Sequence, residues 1–317
     1  MSTAKQPCVL VTGASGFAGR AVVAGLSAQG WQVRAALRQR FSPTSDGVTW
    51  VQMPDLSCAT NWAPLLDGVD HVVHLAGIAH AQARLEEPTY QRVNAEASRE
   101  LARAAAVAGV TRFVFLSSVR AQCGPSADGV LTEATPPAPT DAYGRSKLAA
   151  ERAIAAEFPI ATMLRPVLIL GPGVKGNLAR LQRLARSRLP LPFGALHNRR
   201  SVLGLQNLIS IIAFCLTADA ARAATYLAAE PEPMRVRDLM AAMRAALRRQ
   251  PGLAPVPPVV LDAAMRIAGR GALTPSLLGA LCVDVSSLLA AGWRPATTIE
   301  SEIIRMMTAP QPTASSR

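Results

Sequence analysis

The chain has 317 residues, half of them hydrophobic, which is enough for one large domain or two modest ones and argues against global disorder. Its formal net charge of +12 comes from 30 arginines and 3 lysines set against 21 acidic residues. This balance favours anionic partners such as nucleotides, but the basic residues are scattered without aromatic interleaving, which argues against nucleic acid. Five separated cysteines without a C-x-x-C pair argue against a disulfide framework or a zinc site, and we expect no metal and a cytoplasmic location.

Short apolar runs alternate with helical patterns through the first 165 residues. We predict strands at residues 9–12, 33–37, 49–53, 71–76, 112–117 and 161–165, and helices at 16–29, 96–108 and 142–157. Continuous apolar strands separated by helices indicate a parallel sheet that is covered on both faces. The predicted fold is therefore α/β, a doubly wound Rossmann sheet with a smaller mixed lobe at its C-terminal side.

The character of the chain changes after Pro166, where prolines and glycines become frequent and helical patterns follow. We predict a dinucleotide-binding domain over residues 1–166, a substrate lobe over 167–308 and a flexible tail over 309–317, with residues 201–228 returning to the first domain. Residues 201–218 carry no charge and approach the length of a membrane span. Their polar members favour an amphipathic, mostly buried helix, so we expect no stable membrane insertion.

A glycine-rich loop joins the first predicted strand to the first predicted helix. Gly13, Gly16 and Gly19, with Ser15 and Phe17 between them, fit a tight turn whose backbone can approach a pyrophosphate. The helix N-terminus adds unpaired N–H groups that attract an anion. The loop predicts a dinucleotide site; the competing interpretation is a plain strand–turn–helix corner.

The end of the second predicted strand helps to distinguish the two nicotinamide cofactors. An acidic residue there binds the ribose 2′-hydroxyl of NAD, whereas an arginine accommodates the 2′-phosphate of NADP. Arg38 follows this strand, with Arg34 and Arg40 nearby, and the next acid is Asp46. The pattern favours NADP, and NAD is the alternative if these arginines are solvated surface residues.

Tyr143 and Lys147 are four residues apart and therefore share one face of a predicted helix. An unperturbed tyrosine has a pKa of about 10, and a neighbouring ammonium is expected to lower that pKa towards neutrality. Ser117 and Ser118 end the fifth predicted strand, at the edge of the sheet where ligands bind in such folds. These groups predict proton transfer beside a dinucleotide, and so hydride transfer.

Several segments together resemble the extended short-chain dehydrogenases/reductases, the group of nucleotide-sugar epimerases and dehydratases. The resemblance covers nearly the whole chain and lies in residues 12–19, 74–77, 93–94, 115–118, 143–147 and 164–166. It implies that Tyr143 is the general acid/base and that Lys147 lowers its pKa and binds the nicotinamide ribose. It also implies that Ser118, with Ser117 as runner-up, binds the reacting hydroxyl.

The same resemblance implies further cofactor contacts. Asp55 and Leu56 would touch the adenine, Ala76 and Gly77 the phosphate side of the cofactor, and Pro166 the nicotinamide.

Two departures from the family pattern narrow the reaction. Dehydratases of the family follow the active-site hydroxyl residue with an acidic pair, whereas Val119 and Arg120 stand here, which argues against 4,6-dehydration. The acid that NAD-binding epimerases carry after the second strand is missing as well. This absence argues against a simple epimerase.

The second lobe is expected to bind a nucleoside diphosphate. Residues 173–177 end at Asn177 before a predicted helix and offer N–H groups and an amide, while Arg200 offers a guanidinium. The alternative is loop glycine and surface arginine. By resemblance, the segment around Phe193 lines the uracil pocket. Residues 171–177 and 197–201 also resemble a subset of enzymes that act on 4-keto-6-deoxy-N-acetylhexosamine sugars in bacterial surface-polysaccharide synthesis.

Three functions fit these observations. The first is an NADP-dependent reductase of a UDP-linked 4-keto sugar, and the second is a UDP-hexose 4-epimerase with tightly bound NAD. The third is a dinucleotide-binding regulator without turnover, against which the intact Ser118, Tyr143 and Lys147 argue. The resemblance suggests a homodimer through the predicted helices at 96–108 and 142–157.

Overall fold

Strands and helices alternate along the first half of the computed structural model, which describes residues 6–38, 47–78 and 85–310. The strands are β1 (Cys8–Thr12), β2 (Gln32–Leu37), β3 (Val48–Gln52), β4 (His71–His74), β5 (Arg112–Leu116), β6 (Val130–Leu131), β7 (Thr162–Pro166), β8 (Leu168–Leu170), β9 (Arg199–Arg200), β10 (Val202–Gly204), β11 (Thr225–Ala228), β12 (Met234–Arg235) and β13 (Cys282–Val283). The helices are α1 (Phe17–Ala28), α2 (Ala63–Leu66), α3 (Glu87–Tyr90), α4 (Ala97–Val107), α5 (Ala142–Glu157), α6 (Gly176–Arg186), α7 (Leu205–Thr217), α8 (Val236–Ala245), α9 (Pro258–Ile267), α10 (Thr274–Leu278), α11 (Ser286–Ala290) and α12 (Ile299–Thr308).

Seven strands in the described part of the chain form one parallel sheet, in the order β3-β2-β1-β4-β5-β7-β11. The chain moves outward from β1 through β2 to β3 and then returns to place β4 on the other side of β1. In open α/β sheets, ligands bind at the carboxyl ends of the strands beside such a reversal. The predicted doubly wound parallel fold is confirmed.

The two faces of the sheet are covered by different helices. Val9 and Val11 of β1 pack with α1 and α7, whereas Leu10 packs on the opposite face with α4 and α5. Because each central strand is buried on both sides, its middle residues are apolar without alternation. Each fully buried aliphatic side chain contributes about 1.5–3 kcal/mol to stability, so these strands anchor the fold.

Between Pro166 and Pro310 the chain contributes one strand to the seven-stranded sheet and most of a third core cluster. Strand β11 pairs with β7 at the sheet edge, and a third core cluster is formed by apolar residues of α6, α8 and α12 such as Leu178, Met240 and Met306. The uncharged stretch at 201–218 forms β10 and α7, and eight residues of α7 are buried. None of the helices in the described ranges combines the length and the apolar character needed to cross a membrane.

The helix predicted at residues 96–108 begins earlier in the structure. Helix α3 starts at Glu87 and continues through a π-helical segment, Gln91–Glu96, into α4. Pro88 is compatible with this start because the first turn of a helix does not need its backbone N–H. The π-helical segment carries the buried Asn94 towards the edge of the sheet, and such segments occur frequently at functional sites.

Candidate active site

The glycine loop between β1 and α1 is shaped by close backbone contacts. Gly13 has a φ of +70°, and a Cβ on it would lie 2.8 Å from the backbone nitrogen of Ala76. A Cβ on Gly19 would collide with the carbonyl of Gly13. Ser15 and Gly16 are exposed at the start of α1, and Gly16 occupies the N-cap without a side chain. The loop therefore offers open backbone N–H groups at a helix N-terminus, and it fits a dinucleotide pyrophosphate.

The residues predicted for the adenosine end lie beside one another. Arg38 is exposed directly after β2, and Asp55 is exposed while Leu56 is buried. Hydrogen bonds from Ser57, and more weakly the charge of Arg38, lower the pKa of Asp55, which indicates that Arg38 lies near this carboxylate. The positive charge of Arg38 is therefore partly offset by the carboxylate of Asp55.

The other residues around the second strand contribute less to this end of the site. The guanidinium of Arg34 donates to the carbonyls of Leu65 and Asp67 at 2.9 and 2.7 Å, so it is engaged at the end of α2. Arg40 and Asp46 lie outside the described residues.

The three predicted catalytic side chains lie near one another at the carboxyl edge of the sheet. The hydroxyl of Tyr143, in the first turn of α5, is hydrogen-bonded to the side chain of Ser118. The ammonium of Lys147, one turn later, donates to the carbonyl of Leu116 at 2.9 Å and lies 4.6 Å from the ring centre of Phe115. The lysine is thus fixed against the end of β5, beside the serine and the tyrosine.

Burial shifts the pKa values of both members of the tyrosine–lysine pair away from each other. It raises the pKa of Tyr143 to about 12, although the hydrogen bond from Ser118 and the charge of Arg120 act in the opposite direction. It lowers the pKa of Lys147 to about 8, with Glu151 opposing the shift. The expectation of a lowered tyrosine pKa is therefore wrong for this structure, because desolvation outweighs the neighbouring charges. At neutral pH the phenol holds its proton.

The two candidate serines face different surroundings. Ser117 donates its hydroxyl hydrogen bond to Glu151, which forms a buried ion pair with Arg165 at 2.6 Å. Arg165 also donates to the side chain of Gln122 at 3.1 Å. Ser118, in contrast, contacts Tyr143, so the structure separates a packing serine from a serine at the site. No local pattern predicted the Glu151–Arg165 pair, although Glu151 stands four residues after Lys147 on the same helix face.

Arg120 connects the serine to the start of the tyrosine helix. Its backbone N–H donates to the Ser118 hydroxyl at 3.1 Å, and its guanidinium pairs with Asp141 at 2.5 Å. Asp141 is the N-cap of α5 and accepts the N–H of Gly144 at 2.7 Å. A Cβ on Gly144 would collide with the carbonyl of Arg120. Arg120, which stands where dehydratases of the family have an acid, therefore helps to hold Ser118 and the start of the helix that carries Tyr143.

A chain of buried hydrogen bonds runs beneath the cofactor loop. Thr12 accepts the N–H groups of Leu75 and Ala76, both at 3.2 Å, and its hydroxyl lies 2.7 Å from Nδ1 of His74. Nε2 of His74 lies 2.8 Å from the Ser98 hydroxyl, which donates to the backbone carbonyl of Asn94. Because the Ser98 hydroxyl donates to Asn94, it accepts from Nε2 of His74, and this favours a neutral imidazole with its proton on Nε2. Burial, assisted by the charge of Lys147, lowers the pKa of His74 to about 3.

The chain continues through Asn94 to the tyrosine helix. The side-chain oxygen of Asn94 accepts the N–H of Ile78 at 2.7 Å, and its amide donates to the Ser146 hydroxyl at 2.9 Å. Ser146 donates in turn to the carbonyl of Tyr143. Gly77 has a φ of +152°, and a Cβ there would lie 2.7 Å from the Asn94 oxygen. Asn94 therefore holds the segment after β4 close to α5.

Residues predicted on the phosphate and nicotinamide sides lie at the ends of two strands. Ala76 is buried and Gly77 is exposed just beyond β4, while Pro166 is buried as the last residue of β7. Both strands end at the carboxyl edge of the sheet, where Ser118 also follows β5.

The predicted substrate residues are more dispersed. Asn177 is exposed in the first turn of α6, and its side-chain oxygen accepts from Arg180 at 3.3 Å. Phe193 is 3% exposed and packs in the third core cluster. The guanidinium of Arg200 is engaged by two backbone carbonyls, those of Gly279 at 2.8 Å and Pro125 at 3.0 Å.

Arg200 also lies close enough to Arg120 for the two charges to interact. Burial lowers its pKa, and the charge of Arg120 acts in the same direction. Arg120 in turn acts on Tyr143. Arg200 is therefore within electrostatic range of Arg120, whereas no described contact joins Asn177 or Phe193 to the catalytic side chains.

Comparison with known proteins agrees with this geometry. The model of the NAD dependent epimerase/dehydratase family matches residues 9–249. A UDP-glucose 4-epimerase from Vibrio cholerae is 31% identical over 308 residues, which cover 92% of each chain. The structure of MoeE5 in complex with UDP-glucuronic acid and NAD is 25% identical, with a TM-score of 0.73 over 94% of this chain and 97% of that one.

A more distant structure supports the fold. WbmG from Bordetella bronchiseptica, solved in complex with NAD, is 18% identical and has a TM-score of 0.74, with 97% of this chain and 94% of that chain covered. The glycine loop, the Ser118–Tyr143–Lys147 arrangement and the family match over most of the chain lead to one assignment. This chain belongs to the NAD dependent epimerase/dehydratase family, within the extended short-chain dehydrogenases/reductases.

Proposed function

We propose that this protein is an NADP-dependent oxidoreductase that reduces C4 of a UDP-linked 4-keto-6-deoxy-N-acetylhexosamine in surface-polysaccharide synthesis. The observation that carries the oxidoreductase chemistry is the hydrogen bond between Tyr143 and Ser118, with Lys147 fixed one helical turn away. A ketone that becomes an alcohol needs a proton donor and a partner for its oxygen, and these two hydroxyl groups supply both.

The protonation state of Tyr143 suits reduction. A phenol with a pKa of about 12 holds its proton at neutral pH and can give it to the oxygen formed at C4. Ser118 holds that oxygen, and the Lys147 ammonium stabilises the phenolate that remains and orients the nicotinamide ribose. The dinucleotide, when bound at the glycine loop, supplies the hydride.

Two observations support a nucleotide-linked sugar as the substrate. MoeE5 was solved with UDP-glucuronic acid and also with UDP-glucose, at identities of 25% and 24%. In this chain, Arg200 and Arg120 place positive charge near the catalytic end, and the net charge of +12 favours an anionic substrate. We propose that Arg200 helps to bind the diphosphate and that Asn177 and Phe193 shape the outer part of the same site.

NADP is proposed because Arg38, not an acid, follows β2 in an exposed position. A 2′-phosphate would bring a negative charge towards this arginine, in competition with the nearby Asp55.

A UDP-hexose 4-epimerase with tightly bound NAD is the second candidate. Its support is the Vibrio cholerae epimerase, which is similar over 92% of the chain, and the NAD in the MoeE5 structure. In such an enzyme, Tyr143 would first accept the C4 hydroxyl proton and later return it.

The cofactor that accompanies the purified protein distinguishes the two candidates. The protein is purified without added cofactor, denatured, and its released dinucleotide is identified by mass spectrometry. A protein that releases none, and then binds NADPH more tightly than NADH, supports the reductase, and Arg38→Ala should remove most of that preference. Release of near-stoichiometric NAD or NADH favours the epimerase and would show that Arg38 does not select NADP.

Replacement of the tyrosine tests the assigned chemistry in either case. Tyr143→Phe removes the transferable proton and keeps the ring, so turnover should fall by at least about 100-fold, the usual contribution of a general acid. Cofactor binding, followed by nicotinamide fluorescence, should persist in the variant. Unchanged turnover of a UDP-4-keto sugar would show that Tyr143 is not the proton donor.

A further inference from the structure

Helix α9 presents an apolar surface to solvent. None of its ten residues is buried, and Val259 and Ile267 are 79% and 89% exposed. At 100° per residue, its exposed apolar residues fall on one half of the helix; they are Val259, Val260, Ala263, Ala264 and Ile267. On the opposite half, Leu261 is partly buried against the third core cluster. The helix thus has a second apolar face that the protein itself does not cover.

Helix α12, which packs on the same core cluster, has a different distribution of buried and exposed residues. Three of its apolar residues, Ile303, Met306 and Met307, are buried, and Ile304 is 51% exposed beside the exposed Arg305. This is the usual arrangement, in which the polar side meets water. Helix α9 differs from α12 because none of its apolar residues is fully buried, and a contiguous exposed apolar surface indicates an interaction site.

The surface around α9 carries a small excess of positive charge. Arg266 and Arg270 are exposed there, Asp262 is the single acid in residues 255–275, and the whole chain has a net charge of +12. Asp262 pairs with Arg266 at 2.9 Å, at the edge of the apolar face, and Arg270 is exposed one turn beyond Ile267. A second copy of the chain would bring the same arginines to this surface, which disfavours this face as a contact between two copies. An anionic surface with an apolar interior matches both properties.

We propose that α9 docks this protein on a membrane that contains anionic lipids. Val259 and Ile267 would enter the boundary between headgroups and acyl chains, and Arg266 and Arg270 would lie at the lipid phosphates. An amphipathic helix of this kind lies in the plane of the membrane surface and does not cross it. A helix of ten residues gives reversible binding, so the protein exchanges between water and the lipid surface. The proposal is independent of the reaction assigned above.

Co-sedimentation with vesicles tests the docking surface. The full chain is incubated with vesicles of phosphatidylcholine alone, or of phosphatidylcholine with phosphatidylglycerol, at low and at high salt. We expect binding to the anionic vesicles that weakens with salt, and little binding to the neutral ones. The double variant Val259→Glu/Ile267→Glu should bind at least about tenfold more weakly, because it places two carboxylates against the anionic surface.

A matched variant controls for an exposed apolar residue as such. Val130, at the start of β6, is 62% exposed and lies outside the helices expected at a dimer interface, and Val130→Glu should bind the vesicles like the wild type. Thermal unfolding should be unchanged in both variants, since the substituted side chains are in water. The proposal would be overturned if the double variant bound like the wild type, if Val130→Glu lost binding to the same extent, or if the wild type did not bind. Light scattering tests the other occupant of this face. If the wild type were a dimer that does not bind vesicles, and the double variant were a monomer, the face would bind a second copy and the membrane proposal would be overturned.

Discussion

The buried imidazole of His74 makes the stability of the fold depend on pH. Its pKa is lowered to about 3 by burial and by the charge of Lys147, whereas the imidazole titrates near 6.5 when the chain is unfolded. Between these values the unfolded chain binds a proton that the folded protein does not bind, so the free energy of unfolding falls as the pH falls. The stabilisation is complete above about pH 6.5 and is lost progressively below it. At pH 5 the difference of about 1.5 pH units corresponds to about 2 kcal/mol.

Urea unfolding of the wild type and of His74→Gln at pH 7 and at pH 5 measures this quantity. The substitution breaks hydrogen bonds to Thr12 or Ser98, so it is destabilising at pH 7. At pH 5 the wild type has lost about 2 kcal/mol that the variant cannot lose through this residue, so the difference between them should shrink by that amount. Because each comparison is made at one pH, the titration of carboxylates cancels. His197→Gln, at an exposed position, controls for the loss of a histidine. An equal difference at both pH values would refute the neutral, buried imidazole.

Two further predictions concern the support of the catalytic groups. Ser118→Ala should lower kcat by about 100-fold and the free energy of unfolding by about 0.5–2 kcal/mol, because the Arg120 N–H also loses its acceptor. Ser117→Ala should lower the free energy of unfolding by about 1–3 kcal/mol and leave kcat within a few-fold, because Glu151 loses a buried donor. Steady-state kinetics distinguishes the two variants, and a loss of kcat by about 100-fold in Ser117→Ala alone would exchange the roles of the serines. Gly144→Ala should lower kcat by at least about tenfold, because its Cβ would meet the carbonyl of Arg120 and displace the start of α5; a variant with normal kcat would show that this close approach does not position Tyr143.

Local patterns carried the prediction of the sheet and of the glycine loop. A run such as Val9–Val11 must be buried on both faces, and only a covered parallel sheet buries it in that way. Gly13 and Gly19 could be recognised because their requirement is a backbone one, visible in the residue type itself. The spacing of Tyr143 and Lys147 likewise follows from helix geometry within five residues.

Properties that depend on distant parts of the chain were not predictable in the same way. The raised pKa of Tyr143 arises from burial, which the spacing to Lys147 does not report. The support that Arg120 gives through Asp141 joins residues that are 21 positions apart. The roles of Ser117 and Ser118 separate only when the partner of Ser117, Glu151, is known. Local patterns identified Tyr143, Ser117 and Ser118 as candidates, whereas tertiary packing determined their partners and therefore their roles.

The hydrogen-bond chain from Thr12 through His74 and Asn94 to the tyrosine helix also has an entropic consequence. It cross-links β1, β4, α4 and α5 before any ligand arrives, so much of the conformational freedom of the site is lost during folding. Binding then has less disorder to remove, and a larger share of the contact energy is retained as affinity. The site is therefore preorganised before the ligand binds. A substitution within the hydrogen-bond chain, such as at Ser98, would weaken cofactor affinity without removing a contact to the cofactor.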